Sequence, residues 1–157
     1  MKIITLTGGK NTKKEVLAYR LAKNSDVSYI KPYTDREVSD DVDESELNGY
    51  NYVSKDTLDT MIEEDEVLCS RTINGNRYVF FKSQLIHDYN VMIVDDYALV
   101  DLQSNWKEEL YSIKVKSNNE KASNRIDTYL YDHEFDKVYN IDTDDFDALE
   151  WGIGYGM

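Results

Sequence analysis

Lys2-Ile-Ile-Thr-Leu-Thr-Gly-Gly-Lys-Asn-Thr-Lys-Lys-Glu15 is an apolar, β-branched run that passes through paired glycines into a lysine-rich segment. Residues 2–6 show little polar alternation, the pattern of a strand buried on both faces. Residues 13–24 then set Val16, Leu17, Arg20 and Leu21 at helical spacing. Strand, glycine turn and helix is the opening of an α/β fold. The turn itself is an altered phosphate-binding loop. In the intact pattern Gly-x-x-x-x-Gly-Lys-Ser/Thr, backbone N–H groups cradle phosphates, the Lys reaches the β- and γ-phosphates, and the hydroxyl holds Mg²⁺. Gly8 and Lys14 keep that spacing here, whereas Lys13 stands in place of the second Gly and Glu15 in place of the hydroxyl.

The remaining composition narrows the class. At 157 residues the chain is long enough for one domain with a sizeable core. Its 41% apolar content, with 13 Tyr and 4 Phe, is too high for a disordered chain. The single Cys offers neither a disulfide framework nor a metal cluster, and the start has no signal-peptide layout or long apolar run; the expected location is the reducing cytoplasm, without membrane association. A net charge of −13 and a pI near 4.5 argue against DNA or RNA as partner, because such affinity comes from neutralising phosphates with Lys and Arg. A small phosphorylated ligand remains compatible with that charge, since a few local cations and a helix N-terminus hold one phosphate.

Further along, a short strand is expected over 27–30, and Pro32, the only proline, ends it before an acidic loop at 34–48. Residues 50–53 read as a strand, after which Ser54 is an N-cap and Leu58, Met61 and Ile62 form one face of a helix through residue 64. Runs at 67–73 and 77–81 flank Asn74-Gly75-Asn76, a hairpin signal. Val91-Met-Ile-Val94 before Asp95-Asp96 is a wholly apolar strand ending in acids, as central strands of parallel nucleotide-binding sheets do. Strands are expected at 110–115 and 138–141, a helix at 120–131, and a last helix capped by Thr143 with Asp144 and Asp145 in its first turn. The tail at 152–157 is expected to be mobile, and His87 and His133, lacking partners at ligand spacing, to lie on the surface.

With its parts in this order the chain resembles the guanylate kinase family of P-loop nucleoside monophosphate kinases over most of its length. Asn48-Gly-Tyr-Asn-Tyr-Val-Ser54, Met61-Ile62, Glu66 and Asn74-Gly-Asn-Arg-Tyr78 are similar to that family's nucleotide-binding insert, and Asp136-Lys-Val-Tyr-Asn140 to its last-strand signature. The resemblance implies a three-layer α/β/α fold with a mainly parallel sheet and a small antiparallel insert. It divides a single domain into a core of about 1–30 and 84–151 and an insert of about 31–83.

What the resemblance implies for chemistry is ATP and Mg²⁺ as donor and metal, and a nucleotide acceptor. Gly8, Gly9, Lys13 and Lys14 would contact the ATP phosphates, Asp95 and Glu15 the metal, and Lys14, Asp95 and Arg125 would serve catalysis, Arg125 from the helix after the lid. Arg36, Tyr52 and Tyr78 would grip the acceptor phosphate, each charge-assisted hydrogen bond contributing about 1.5–3 kcal/mol. The plainer alternatives are that Tyr52 and Tyr78 edge a core, that Arg36 solvates the acidic loop, and that Asp95 is a solvated strand-end acid. The family's second gripping arginine has no counterpart at 37–48. Its base-reading hydroxyl, carboxylate and hydroxyl fall on Pro32, Cys69 and Phe80, which offer guanine no such acceptor. Between Val115 and Ile126 only Lys116, Lys121 and Arg125 stand where the family carries several lid arginines, residues whose kind can be worth about 10³–10⁵ in rate. Three readings follow: a diverged kinase, a guanylate-kinase-like binding module without transfer that recognises a nucleotide or a phosphorylated protein partner, and an α/β domain with neither activity.

Overall fold

The computed structural model describes residues 2–9, 12–38, 48–118 and 130–154. In chain order the first elements are β1 (Lys2–Thr7), α1 (Lys14–Leu21), β2 (Val27–Tyr29), β3 (Tyr33–Thr34), β4 (Asn51–Tyr52) and α2 (Lys55–Glu64). There follow β5 (Val67–Ile73), β6 (Asn76–Phe81), β7 (Tyr89–Ile93), α3 (Asp96–Trp106), β8 (Leu110–Lys116), β9 (Lys137–Asn140) and α4 (Phe146–Ile153). They group into two compact units, residues 1–29 with 86–157, and residues 30–85.

The first unit is an α/β sheet of five parallel strands in the order β2-β7-β1-β8-β9. β1 is its centre, with Ile4 level with Val91 on one side and Tyr111 on the other. That position explains the unalternating run at the start of the chain: Ile3 through Thr7 are all buried. Ile4 and Leu6 share one core with Leu17, Ala18 and Leu21 of α1 and Leu149 of α4. Burying each such leucine contributes about 1.5–3 kcal/mol. The step from β1 to β2 runs two positions one way across the sheet, and the step from β7 to β8 two positions the other. Right-handed crossovers therefore set α1 and α3 on opposite faces. The order reverses at β1, and open parallel sheets bind ligands outside the carboxyl ends of their strands at such a point.

Several expectations shift. α1 is shorter than 13–24, and its sheet-facing stripe is Leu17, Ala18 and Leu21, leaving Val16 and Arg20 exposed. Arg20 instead lays its guanidinium over the Phe146 ring, 4.0 Å from the centroid. α3, which no expectation covered, buries Ala98, Leu99 and Leu102. α4 is capped by Asp145, which accepts from the Asp147 N–H at 3.1 Å, while Asp144 accepts from Asn140 N–H at 2.8 Å; Thr143 does not cap it. Residues 152 and 153 belong to α4, which ends on Gly154 at φ 103°, so this part of the expected tail is helical; 155–157 lie outside the described residues. Of the helix expected at 120–131, only Leu130 and Tyr131 are described, and neither is helical. His133 is exposed and stacks on Tyr131, whereas His87 is half-buried, with its Nδ1 shielded from solvent. Among the described residues no helix is long and apolar enough to cross a membrane.

The second unit is a four-stranded sheet in the order β4-β3-β6-β5, with β3 and β4 parallel and the other pairs antiparallel. Asn74 and Gly75 both take positive φ, 52° and 81°, the type I′ turn that the right-handed twist of a hairpin favours. Ser54 caps α2 by accepting from Thr57 N–H at 3.1 Å, and Leu58 packs with Val79 and Phe81, flanked by Met61 and Ile62.

In the first unit, Lys114 and Lys116 of β8 both reach Asp132, at 2.9 and 2.6 Å. Hydrogen bonds from Lys114 and then Lys116 hold the Asp132 carboxyl down at about 2. A depressed carboxyl contributes its full stability above the unfolded value of 3.8 and loses it as pH falls through the folded one. Asp132 is half exposed, so screening limits the contribution to about 1 kcal/mol or less. Asp132→Asn is expected to lower the urea midpoint modestly at pH 7, with the difference from wild type closing between pH 4 and pH 2 and shrinking in high salt. A difference that persists at pH 2 would place the effect elsewhere.

Candidate functional site

The first candidate lies in the loop between β1 and α1. A Cβ added at Gly8 would sit 2.5 Å from the carbonyl oxygen of Val115 and 2.9 Å from Thr12 Oγ1, so only glycine lets β1 leave the sheet beside β8. Thr12 is fully buried and donates its hydroxyl to Gly9 O at 2.8 Å. Lys13 then takes φ 56°, ψ 41°, and α1 starts at the next residue. This is the left-handed backbone that glycine adopts freely and that costs other residues about 1–2 kcal/mol. The second-Gly position of the motif thus keeps a glycine's conformation while carrying a lysine. Lys14 Nζ donates to Gly8 O at 2.7 Å and Gly9 O at 3.0 Å, drawing the ammonium over the loop. Lys10 and Asn11 lie outside the described residues.

Around this loop stand the ends of the neighbouring strands. Asp95, after β7, accepts from Ala98 N–H at 2.8 Å and so caps α3. Asp96 is buried and accepts from Leu130 N–H at 2.9 Å. Beyond β9, Asp142 accepts from the Ser117 hydroxyl and from Asn118 N–H, both at 2.8 Å. Those bonds, and then the charge of Lys13, hold its carboxyl below the usual range. Glu15 is exposed in the first turn of α1. Among the described residues no three acidic, His or Cys side chains gather to hold a metal. The arrangement offers an anion a helix N-terminus, a left-handed turn and two lysines.

The second candidate is a face of the four-stranded sheet. Tyr52 is level with Thr34, and Thr34 with Tyr78, so the three side chains share one face. Arg36 follows directly: its N–H donates to Thr34 Oγ1 at 3.2 Å and its Nη2 to the Tyr52 hydroxyl at 3.0 Å. The backbone before Arg36 is anchored through Asp35, which accepts from Arg77 N–H and Nε, each at 2.8 Å. Burial pushes the Asp35 carboxyl up, but these bonds outweigh it and hold it below its usual range. The Arg77 guanidinium, held above its usual value by Asp35 and Asp59, also bonds Asp59 at 2.7 Å.

Tyr50 was missed by sequence reasoning, although in the strand expected at 50–53 it stands two residues before Tyr52, the spacing of a shared face; in the structure it lies just before β4. Its ring lies 5.4 Å from that of Tyr78 and 6.0 Å from that of Tyr52, and the Arg36 guanidinium lies 5.5 Å from its centroid. The three positions matched to base reading also come together. Cys69 pairs with Phe80, and since Tyr33 is opposite Val79, Pro32 comes level with Phe80. Cys69 and Phe80 are buried, and the row presents no oxygen or nitrogen from a side chain. Arg125 lies outside the described residues.

No protein-family model matches the sequence, and no curated protein does. Among solved structures, guanylate kinase from Anaplasma phagocytophilum superimposes with a TM-score of 0.67, covering 97% of this chain and 81% of that one at 14% identity. The fold is therefore α/β, like that of this kinase, a mainly parallel sheet with an additional antiparallel sheet.

Three substitutions test the loop geometry. Lys13→Gly relieves the left-handed strain and adds backbone freedom to the unfolded chain, so stability is expected to change by less than about 1 kcal/mol, whereas Lys13→Val, β-branched, is expected to lose about 1–3 kcal/mol. Gly8→Ala, driven against a backbone carbonyl, is expected to cost about 1–3 kcal/mol. Urea denaturation of the three variants measures this; equal stability of Lys13→Val and Lys13→Gly would mean position 13 is not held left-handed in solution.

Proposed function

We propose that this chain is a cytoplasmic nucleoside or deoxynucleoside monophosphate kinase, transferring the γ-phosphoryl of ATP to a small-molecule nucleotide. The observation that carries the reading is the loop after β1. Lys13 keeps the left-handed turn, and Lys14 stays folded over Gly8 and Gly9, although two of the motif's marker residues have changed. In the transfer, Lys14 exchanges the two carbonyls for the β- and γ-phosphates, while Gly8, Gly9 and the start of α1 supply N–H groups and Lys13 adds charge. Mg²⁺ is commonly held by one or two carboxylates plus phosphates and water, a role that Asp95 and Glu15 would fill. Arg125 would add charge beside the transferred group. Arg36, Tyr52 and Tyr78 hold the acceptor phosphate, so catalysis is positioning plus charge stabilisation without a covalent intermediate. The row Pro32, Phe80, Cys69 offers guanine no acceptor, and leaving its N–H groups unpaired costs about 1–3 kcal/mol; a base with fewer donors suits it better. The net charge of −13 supports a small nucleotide rather than a nucleic acid as partner.

One observation favours a second reading, a binding module that has lost transfer: an Asp95 carboxylate oxygen already caps α3 at 2.8 Å, and Glu15 stands where the motif has a hydroxyl. ADP release coupled to each ribo- and deoxynucleoside monophosphate separates the two. Turnover with at least one acceptor is expected, falling about 100-fold or more in Lys14→Ala. No turnover, and no thermal shift with ATP and Mg²⁺, sinks the kinase reading; a thermal shift with a monophosphate alone then leaves the binding module.

A further inference from the structure

We propose that Arg71 is the second cation of the monophosphate grip, supplied from β5 in place of the arginine missing from residues 37–48. The inference rests on the reading of the Tyr52–Tyr78 face as a phosphate site. Tyr52 is level with Thr34, Thr34 with Tyr78, and Tyr78 with Arg71, so one cross-strand row runs through all four strands of the sheet. Residues directly opposite in neighbouring strands point to the same face, with Cβ atoms about 4.5–5.5 Å apart. Arg71 therefore flanks Tyr78 on one side, while Arg36, bonded to the Tyr52 hydroxyl, lies on the other.

The alternation of β5 agrees with this placement. Ser70 and Thr72 are exposed, whereas Arg71 between them is partly covered. Arg77 shows what the opposite direction looks like: it is level with Thr72, one residue along β6 from Tyr78, and spends its guanidinium on Asp35 and Asp59. The two arginines of this hairpin thus divide between the faces. Arg77 braces the chain before Arg36, and Arg71 joins Tyr78 and Tyr52. A phosphate monoester dianion needs more than one cation to offset its charge when it leaves water, and a guanidinium presents the planar fork that matches its oxygens. Arg36, just after β3, and Arg71, on β5, meet that need from segments far apart in sequence, so the grip does not require two arginines in one loop.

Calorimetric titration of the full chain with AMP, CMP, GMP, UMP and dTMP, each beside its unphosphorylated nucleoside, tests the role. For the monophosphate that binds best, Arg71→Ala is expected to weaken affinity about 10- to 100-fold, with Arg71→Lys intermediate and Arg36→Ala similarly weakened. The nucleoside, which lacks the charge, should bind the wild type and Arg71→Ala alike. If Arg71→Ala proves poorly folded by melting, Arg71→Lys and Arg71→Gln carry the comparison. Monophosphate affinity unchanged in Arg71→Ala but lost in Arg36→Ala overturns the role of Arg71 and leaves the phosphate face intact. Equal loss for nucleoside and monophosphate also overturns it, marking Arg71 as structural. Failure of every monophosphate to bind the wild type overturns the phosphate face and the role together.

Discussion

The chain leaving β1 must pass Val115 without a side chain and then turn left-handed at Lys13 before α1 can begin; the carboxyl edge of the five-stranded sheet is arranged around that passage. A left-handed lysine survives only where its surroundings over-determine it. Here they do: Gly8 is fixed against β8, Thr12 is buried with its hydroxyl on Gly9 O, and Leu17 and Ala18 are locked into the core beneath. The turn's geometry is thus set by what packs on either side of it. A motif glycine can be replaced in sequence while its conformation persists in space.

The same loop shows why net charge is a weak guide to ligand. The chain carries −13 overall, yet beyond a Debye length of about 8 Å at physiological salt most of that charge is screened from a bound phosphate. What counts is the local set of donors. Lys114 and Lys116 meet Asp132, and Arg77 meets Asp35 and Asp59, contacts that secure strand ends and a loop. Lys14 donates to the carbonyls of Gly8 and Gly9, and Arg36 to the Tyr52 hydroxyl. A phosphate dianion displaces a neutral acceptor from a cation more readily than it displaces a carboxylate, since the electrostatic attraction surrendered is smaller.

Local signals carried the sequence reading where they were strong. The apolar run of β1, the Asn74-Gly75 turn and the Ser54 cap each rest on a few adjacent residues and a single backbone requirement, and each is in the structure. Reading failed where neighbours compete or where tertiary packing chooses. Thr143, Asp144 and Asp145 can all cap a helix, and Asp144 was taken by Asn140 N–H. Val16 fits a helical stripe as well as Ala18, but the sheet selected the stripe with the smaller residue. α3 has only Ala98, Leu99 and Leu102 to announce it, a stripe of barely two turns. The site suffered most, because it is made of rows. That Pro32, Phe80 and Cys69 come level, and that Arg71 stands opposite Tyr78, depends on the register of strands up to 46 residues apart in the chain, which no periodicity within one strand reveals.

The division of labour between the two candidate sites follows from the energetics of transfer. A grip on the acceptor's phosphate holds ground state and transition state nearly alike, so it strengthens binding without speeding the step itself. Only groups whose contact strengthens as charge redistributes over a transferred phosphoryl bear on rate, and under the proposed kinase reading those in the described residues would be at the loop after β1. There the left-handed Lys13 has a double character. It costs backbone strain that a glycine avoids, and it puts a second ammonium beside Lys14, where the motif has no side chain at all. Asp142, whose carboxyl feels the charge of Lys13, lies at the end of β9 on the same sheet edge. The left-handed backbone fixes where the Lys13 stem leaves the loop, which sets the region its charge can reach.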